Sequence, residues 1–155
     1  MKYPVSFVLN GIPVDAYVKP TETLLDVLRE HLNIKSPKRG CDTGDCGACT
    51  VLLENEPVRS CLTLALTVEG KRINTVEGLM ENGELHPLQA AFLEANAAQC
   101  GFCAPGMLIS AKALLDKSPQ PTRDQIVEAV SGNLCRCGAY VEVIEAIEAV
   151  VRQNK

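Results

Sequence analysis

The sequence predicts an α+β chain in two parts, a small sheet domain over residues 1–84 and a helical domain over residues 85–155. Three observations predict it. Apolar and polar residues alternate at the start of the chain, the pattern of half-buried strands, whereas in the second half apolar residues recur every three or four positions, the pattern of helix faces. The composition changes after residue 84 to a run rich in Ala and Leu. The length of 155 residues and a hydrophobic content of 46% leave room for two small domains, each with its own core.

In chain order, Val5, Phe7 and Leu9 alternate with polar residues, and Ile12, Val14, Ala16 and Val18 do so again. Asn10-Gly11 between them supplies the two positive-φ positions of a type I′ turn, so this is a β-hairpin. Thr23 is an N-cap for a helix with the stripe Leu24, Leu25, Leu28 and Leu32, ending near Asn33 and kept from resuming by Pro37. Residues 37–49 hold Gly40, Gly44 and Gly47 and follow neither period, which makes them a shaped loop. TVLLENEPVRSCL reads as a second hairpin turning at 54–56, and RINTV at 72–76 as one more strand. Beyond the boundary, four helices are expected. They cover 88–96; 105–117, with Met107, Leu108, Ala111, Leu114 and Leu115 on one face; a segment opened by the capping box Thr122/Gln125 and running to about 131; and 140–152. Together they make a small helical bundle.

Against this ordinary background, 8 cysteines stand out. The N-terminus MKYPVSFVLN carries no export signal and no stretch approaches the roughly 18 apolar residues of a membrane span, so the chain is expected in the cytoplasm and off the membrane. Reducing cytosol directs cysteines to metals or catalysis rather than to disulfides. A net charge of −4 with no basic block gives nucleic acid nothing to bind. All eight cysteines fall in two groups of four, which suggests two tetrathiolate sites.

The first group, Cys41, Cys46, Cys49 and Cys61, is spaced C-x4-C-x2-C-x11-C, and its first three members match the plant-type [2Fe–2S] pattern. The glycines have a chemical reason. A cluster on four thiolates carries excess negative charge, and Gly44 and Gly47 allow the backbone to turn N–H groups inward toward it. A zinc site would more often use paired C-x2-C knuckles. In the second group, Cys100 and Cys103 (QCGFCAPGM) stand before one helix, Cys135 and Cys137 (GNLCRCGAY) before another. Two helix N-termini would converge there, with a partial positive charge that favours an anionic centre. Residues i and i+2 of an extended segment point the same way about 7 Å apart, so Cys135 and Cys137 can serve one centre while Arg136 points away. Spacing alone leaves a four-cysteine zinc site open for this group.

GCDTGDCGACTV, SCLTLA, QCGFCAPGM and GNLCRCGAY together, with TLLDVLRE near the start, resemble the small iron–sulfur subunit of the molybdenum hydroxylase (xanthine oxidase) family over nearly the whole chain. The resemblance implies a ferredoxin-like β-grasp domain with one [2Fe–2S] cluster and a C-terminal four-helix domain with a second. It further implies a large subunit binding a molybdopterin-type cofactor, a medium subunit carrying FAD, and a heterotrimer that assembles further. The chain would conduct electrons between them, the alternative being a free-standing two-cluster ferredoxin. By the same resemblance, the cluster on Cys100, Cys103, Cys135 and Cys137 lies nearer molybdenum and that on Cys41, Cys46, Cys49 and Cys61 nearer the flavin, with Gln99 and Cys137 against the pterin. The chain departs from its relatives at Ala104 and Gly138-Ala139, where they carry threonine; the lost hydroxyls are expected to lower the potential of that cluster. No residue reads as a substrate catalyst: His31, His86, Asp42 and Asp45 read as surface positions, and Lys38 and Arg39 as charges flanking the first loop.

Overall fold

The computed structural model describes residues 1–153. Its first half is a mixed five-stranded sheet in the order β2-β1-β5-β3-β4. Strands β1 (Tyr3–Leu9) and β2 (Ile12–Val18) pair antiparallel in a register running from Tyr3↔Val18 to Leu9↔Ile12. Asn10 at φ 50° and Gly11 at φ 81° give the turn the twist that a two-residue hairpin demands. β3 (Thr50–Leu53) and β4 (Glu56–Arg59) form the second hairpin, with Glu54 and Asn55 taking the two positive-φ positions without a glycine. β5 (Arg72–Asn74) enters the middle of the sheet, parallel to β1 and antiparallel to β3.

The first helix differs from the expectation of one α-helix ending near Asn33. α1 (Leu24–Asp26) is a single turn opened by a reciprocal cap, in which the Asp26 N–H donates to the Thr23 hydroxyl and the Thr23 N–H to the Asp26 carboxylate. A π-helical turn, Val27–His31, follows, closed by the Leu32 N–H on the Val27 carbonyl at 3.0 Å; Asn33 at φ 57° ends it. Tertiary packing outweighs helical regularity here, because Leu24, Val27 and Leu28, with Leu32 and Ile34 at the margin, all lie in the core under the sheet.

The second half contains α2 (Pro87–Glu94), α3 (Ala104–Lys117), α4 (Arg123–Val130) and α5 (Tyr140–Gln153). Their shared core includes Leu88, Phe92, Met107, Ile126, Val143, Ile147 and Val150. Thr122 and Gln125 form the reciprocal cap on α4. A further apolar cluster, Leu52, Leu79, Ile109 and Ala113, joins α3 to the back of β3. Fully burying a side chain such as Leu52 or Ile109 stabilises by about 1.5–3 kcal/mol, so this seam fixes the two halves against each other.

Candidate metal centres

The glycine loop at residues 40–49 and the segment after β4 bring the first four thiols together. They meet as two pairs, the thiol of Cys41 against that of Cys46 and the thiol of Cys49 against that of Cys61. Cys49 and Cys61 are buried with Leu25, whereas Cys41 lies toward the surface. Backbone N–H groups of Thr43 and Cys46 turn in on Cys41 Sγ, each at 3.4 Å, and those of Ala48 and Gly44 act electrostatically to favour the thiolates of Cys46 and Cys61. Hydrogen bonds from Thr43, then from the Cys46 N–H, bring the Cys41 thiol down to about 6, while burial pushes Cys61 up to about 12.

The second four also form two pairs, Cys100 with Cys137 and Cys103 with Cys135. Cys103 immediately precedes α3, and Cys135 and Cys137 lie just ahead of α5. The Gly138 N–H donates to the Cys135 carbonyl at 3.3 Å, closing a turn around the close cysteine pair, and the backbone N–H groups of Ala139 and Phe102 act electrostatically to lower the Cys135 and Cys100 thiols. The Cys135 N–H itself donates to Tyr140 Oη at 2.7 Å, tying the close cysteine pair to the first turn of α5. Burial pushes Cys103 up to about 12, while Cys100 and Cys137 are exposed.

Two thiol pairs in each group are the donor set of a two-iron cluster, which takes two thiolates on each iron. A zinc ion instead draws four ligands to one point at about 2.3 Å per sulfur. Two groups of four soft thiol donors, the first with N–H groups turned in on Cys41 Sγ, fit two [2Fe–2S] clusters.

The two groups adjoin each other across the seam between the halves. The Leu134 N–H donates to the Cys46 carbonyl at 2.8 Å, so a member of the first group is hydrogen-bonded to the neighbour of Cys135. Asn133, buried, donates from Nδ2 to the Gly47 carbonyl at 3.0 Å and accepts from the Ser110 hydroxyl at 2.8 Å. The Arg59 guanidinium donates to the carbonyls of Gly44 and Gly132 and to the Thr50 hydroxyl, gripping both segments at once. Gly47 and Gly106 permit this approach: a Cβ on Gly47 would stand 2.3 Å from the Gly132 oxygen, and one on Gly106 2.4 Å from the Gly47 oxygen. A cavity of about 590 Å3 opens beside the seam, lined by Gly40 and Cys46 from one half and by Cys100, Phe102, Cys103, Leu134, Cys135, Arg136 and Tyr140 from the other.

Of the remaining residues singled out in the sequence, Gln99 is exposed beside Cys100. Gly44 and Gly47 both take positive φ, the former beside Cys61 and the latter in the seam. Asp42 pairs with Arg39, Asp45 accepts from the Thr43 hydroxyl, and His31 meets Glu22 at 3.0 Å. His86 is not a plain surface residue: it is half-buried, and its Nδ1 caps α2 by accepting the Leu88 N–H. Arg59, Ser110 and Asn133 carried no sequence signal, because their role exists only between segments distant in the chain.

Residues 7–79 match the 2Fe-2S iron-sulfur cluster binding domain family, and residues 75–148 match the [2Fe-2S] binding domain family. The nicotinate dehydrogenase small FeS subunit of Eubacterium barkeri is 45% identical over 98% of this chain and 97% of its own length. The isoquinoline 1-oxidoreductase subunit alpha of Brevundimonas diminuta is 44% identical over 96% of this chain and 98% of its own. The structure of quinoline 2-oxidoreductase from Pseudomonas putida 86 superposes with a TM-score of 0.93 at 46% identity, covering 97% of this chain and 94% of that one. The aldehyde oxidoreductase of Desulfovibrio desulfuricans superposes equally well, at 0.93 and 39% identity, but there 97% of this chain corresponds to 17% of the longer one. With the thiol pairs, the paired domain matches and these near full-length likenesses, the chain belongs to the family of [2Fe–2S] iron–sulfur subunits of molybdenum hydroxylases.

Proposed function

We propose that Cys41, Cys46, Cys49 and Cys61 hold one [2Fe–2S] cluster and Cys100, Cys103, Cys135 and Cys137 the other. The chain would thereby pass single electrons between a molybdopterin site on a large partner subunit and an FAD-bearing partner. Family membership makes the chain an electron-transfer subunit of an oxidoreductase complex; the ligand sets, the pterin contact and the flavin partner are our own reading. The single observation that carries it is the convergence of the eight cysteines in two places: Cys41 takes the Cys46 N–H and Cys49 packs with Cys61, while Cys100, Cys103 and Cys135 line one cavity. When bound, each cluster would supply one-electron redox chemistry and no site for substrate.

The chain's own residues do the rest. Inward N–H groups steady the thiolates, and Arg59 and Asn133 hold the two ligand segments at a fixed spacing. The hydrogen bond from Leu134 to Cys46 gives a bonded link between the ligand sets that crosses no solvent gap. Each group also has an exposed apolar flank suited to a partner: Leu62 and Leu64 beside Cys61, and Phe102, Leu134, Tyr140 and Val141 around the second group. The exposure of Gln99, Cys100 and Cys137 on that second flank supports reading it as the face toward the large subunit and its pterin. We read the sheet half as a ferredoxin-like β-grasp domain over 1–84, the helical half as a four-helix domain over 85–155, and the setting as cytoplasmic. No helix among the described residues is long and apolar enough to cross a membrane.

Relatives named for N-heteroaromatic substrates and relatives named for aldehydes match at similar identity, 44% for isoquinoline 1-oxidoreductase subunit alpha and 42% for an aldehyde oxidoreductase iron-sulfur-binding subunit of Escherichia coli. That similarity supports a chain that carries electrons while a partner selects the substrate. The test is affinity purification of the chain from its source cells. The proposal expects a molybdenum-containing large chain to copurify, and the iron–sulfur absorbance of the complex to bleach when the large chain's substrate is added without oxygen. A chain that purifies alone with both clusters would identify a free carrier instead.

A further inference from the structure

We infer that Lys38, which belongs to the loop of the first thiol group, sets the reduction potential of the second cluster by placing an unpaired, half-buried positive charge beside Cys100 and Cys103. The inference rests on the ligand sets proposed above and goes beyond them, since it gives one half of the molecule electrostatic control over the redox centre of the other. Lys38 follows Pro37, which is buried, and its own N–H donates to the Ala48 carbonyl at 2.9 Å, so its backbone is pinned against the first loop. Its side chain crosses the seam. The ammonium lies 5.6 Å from the centroid of the Phe102 ring, and Phe102 stands between Cys100 and Cys103. One edge of the ring lies against the first loop, since a Cβ on Gly40 would stand 3.5 Å from it, while the ring as a whole stays partly exposed.

The ammonium is held there without a direct ion pair. Nζ donates to the Ser36 carbonyl at 3.2 Å and, among the described residues, makes no ion pair within 4.0 Å. The neighbouring Arg39, in contrast, is spent on Asp26 and Asp42. Burial and then the like charge of Arg29 hold the Lys38 ammonium below the usual lysine range, while Glu77, Cys103 and Cys100 act on it in the opposite sense. Arg136, between Cys135 and Cys137, is exposed, so its charge is screened by solvent in a way that the half-buried Lys38 is not. Reduction adds one negative charge to a thiolate-bound cluster, so a nearby cation in a low-dielectric seam favours the reduced form and raises the potential. The aromatic face beneath the ammonium holds it in place.

The test is a potentiometric titration of the holo complex followed by electron paramagnetic resonance, with Cys137→Ser identifying which signal belongs to the second group. Lys38→Met keeps the length and removes the charge. It is expected to lower the reduced-to-oxidised ratio of the second cluster on the order of tenfold at fixed potential, equivalent to about 59 mV for one electron, with a smaller effect on the first. Lys38→Arg is expected to restore the ratio, which a purely structural role for the stem would not do. An unchanged second potential, or a shift confined to the first cluster, overturns the inference. Should Lys38→Met lose a cluster, Lys38→Gln is read by the same criterion. Absence of two cluster signals in the unmodified complex would instead overturn the ligand sets themselves, so the two failures are told apart.

Discussion

Gly47 leaves no room for a side chain. At φ 74°, with the Gly132 oxygen 2.3 Å from where a Cβ would stand, it is both strained for other residues and pressed against the opposite half. Gly47→Ala is therefore expected to destabilise the holo chain by about 2–3 kcal/mol in denaturant titration, as other overpacked sites do. Gly11→Ala, at φ 81° with open space around it, should cost only the backbone strain of about 1 kcal/mol. That the eight cysteines gather in two groups was legible from their spacing, because each group is supplied by short local segments. The seam glycines and Asn133 were not, because nothing near them in sequence reveals what they touch. The expectation of a lowered potential at Ala104 and Gly138-Ala139 meets a geometric limit. Gly138 sits at φ 77°, where threonine is strained, and its N–H is already engaged on the Cys135 carbonyl. The cleaner comparison is Ala104→Thr, at the start of α3. A hydroxyl donated toward the second group should raise that cluster's potential in a redox titration, and an unchanged value would remove the hydroxyls from the account.

At the scale of elements, hairpins and helices followed their sequence periods, and the departures have identifiable causes. The turn at Glu54 and Asn55 lacks glycine yet adopts two positive φ values, because the pairing of β3 with β4 and β5 fixes the geometry around it. The α-helix expected after Thr23 widens into a π turn because its apolar residues answer to the sheet core. The cap on α2 was missed since histidine is not a usual capping residue. It makes a pH prediction. Burial holds His86 below the ordinary histidine range, and only the neutral ring accepts the Leu88 N–H. The unfolded chain therefore binds the proton more readily, so this contribution is complete above about pH 6.5 and is lost as pH falls through the lower folded value. Thermal melts from pH 7.5 down to 5 should show His86→Asn, which keeps a cap, losing less stability than the unmodified chain. The clamp is testable too. Arg59→Met removes charged hydrogen bonds to Gly44, Gly132 and Thr50, and should cost about 2–3 kcal/mol by leaving seam carbonyls unpaired.

Taken whole, the molecule joins two small folds, each with its own apolar core, through α3 against β3 and through a polar seam at the point where the thiol groups adjoin. Its two exposed apolar flanks lie one at each group, as a carrier between two partners would need. A sheet followed by helices was legible in the sequence, since composition and period both change along it. It could not reveal the shared cavity or the Lys38 crossing, which arise only when the halves dock. The central claim, two [2Fe–2S] clusters on two separate sets of four cysteines, is tested most directly by metal analysis and electron paramagnetic resonance of the same reduced, anaerobically purified sample. The account predicts about four iron and four acid-labile sulfide per chain with no stoichiometric zinc, and two distinct signals, of which Cys49→Ser alters only one and Cys137→Ser only the other. A single signal, stoichiometric zinc, or one cysteine substitution altering both signals alike would contradict it.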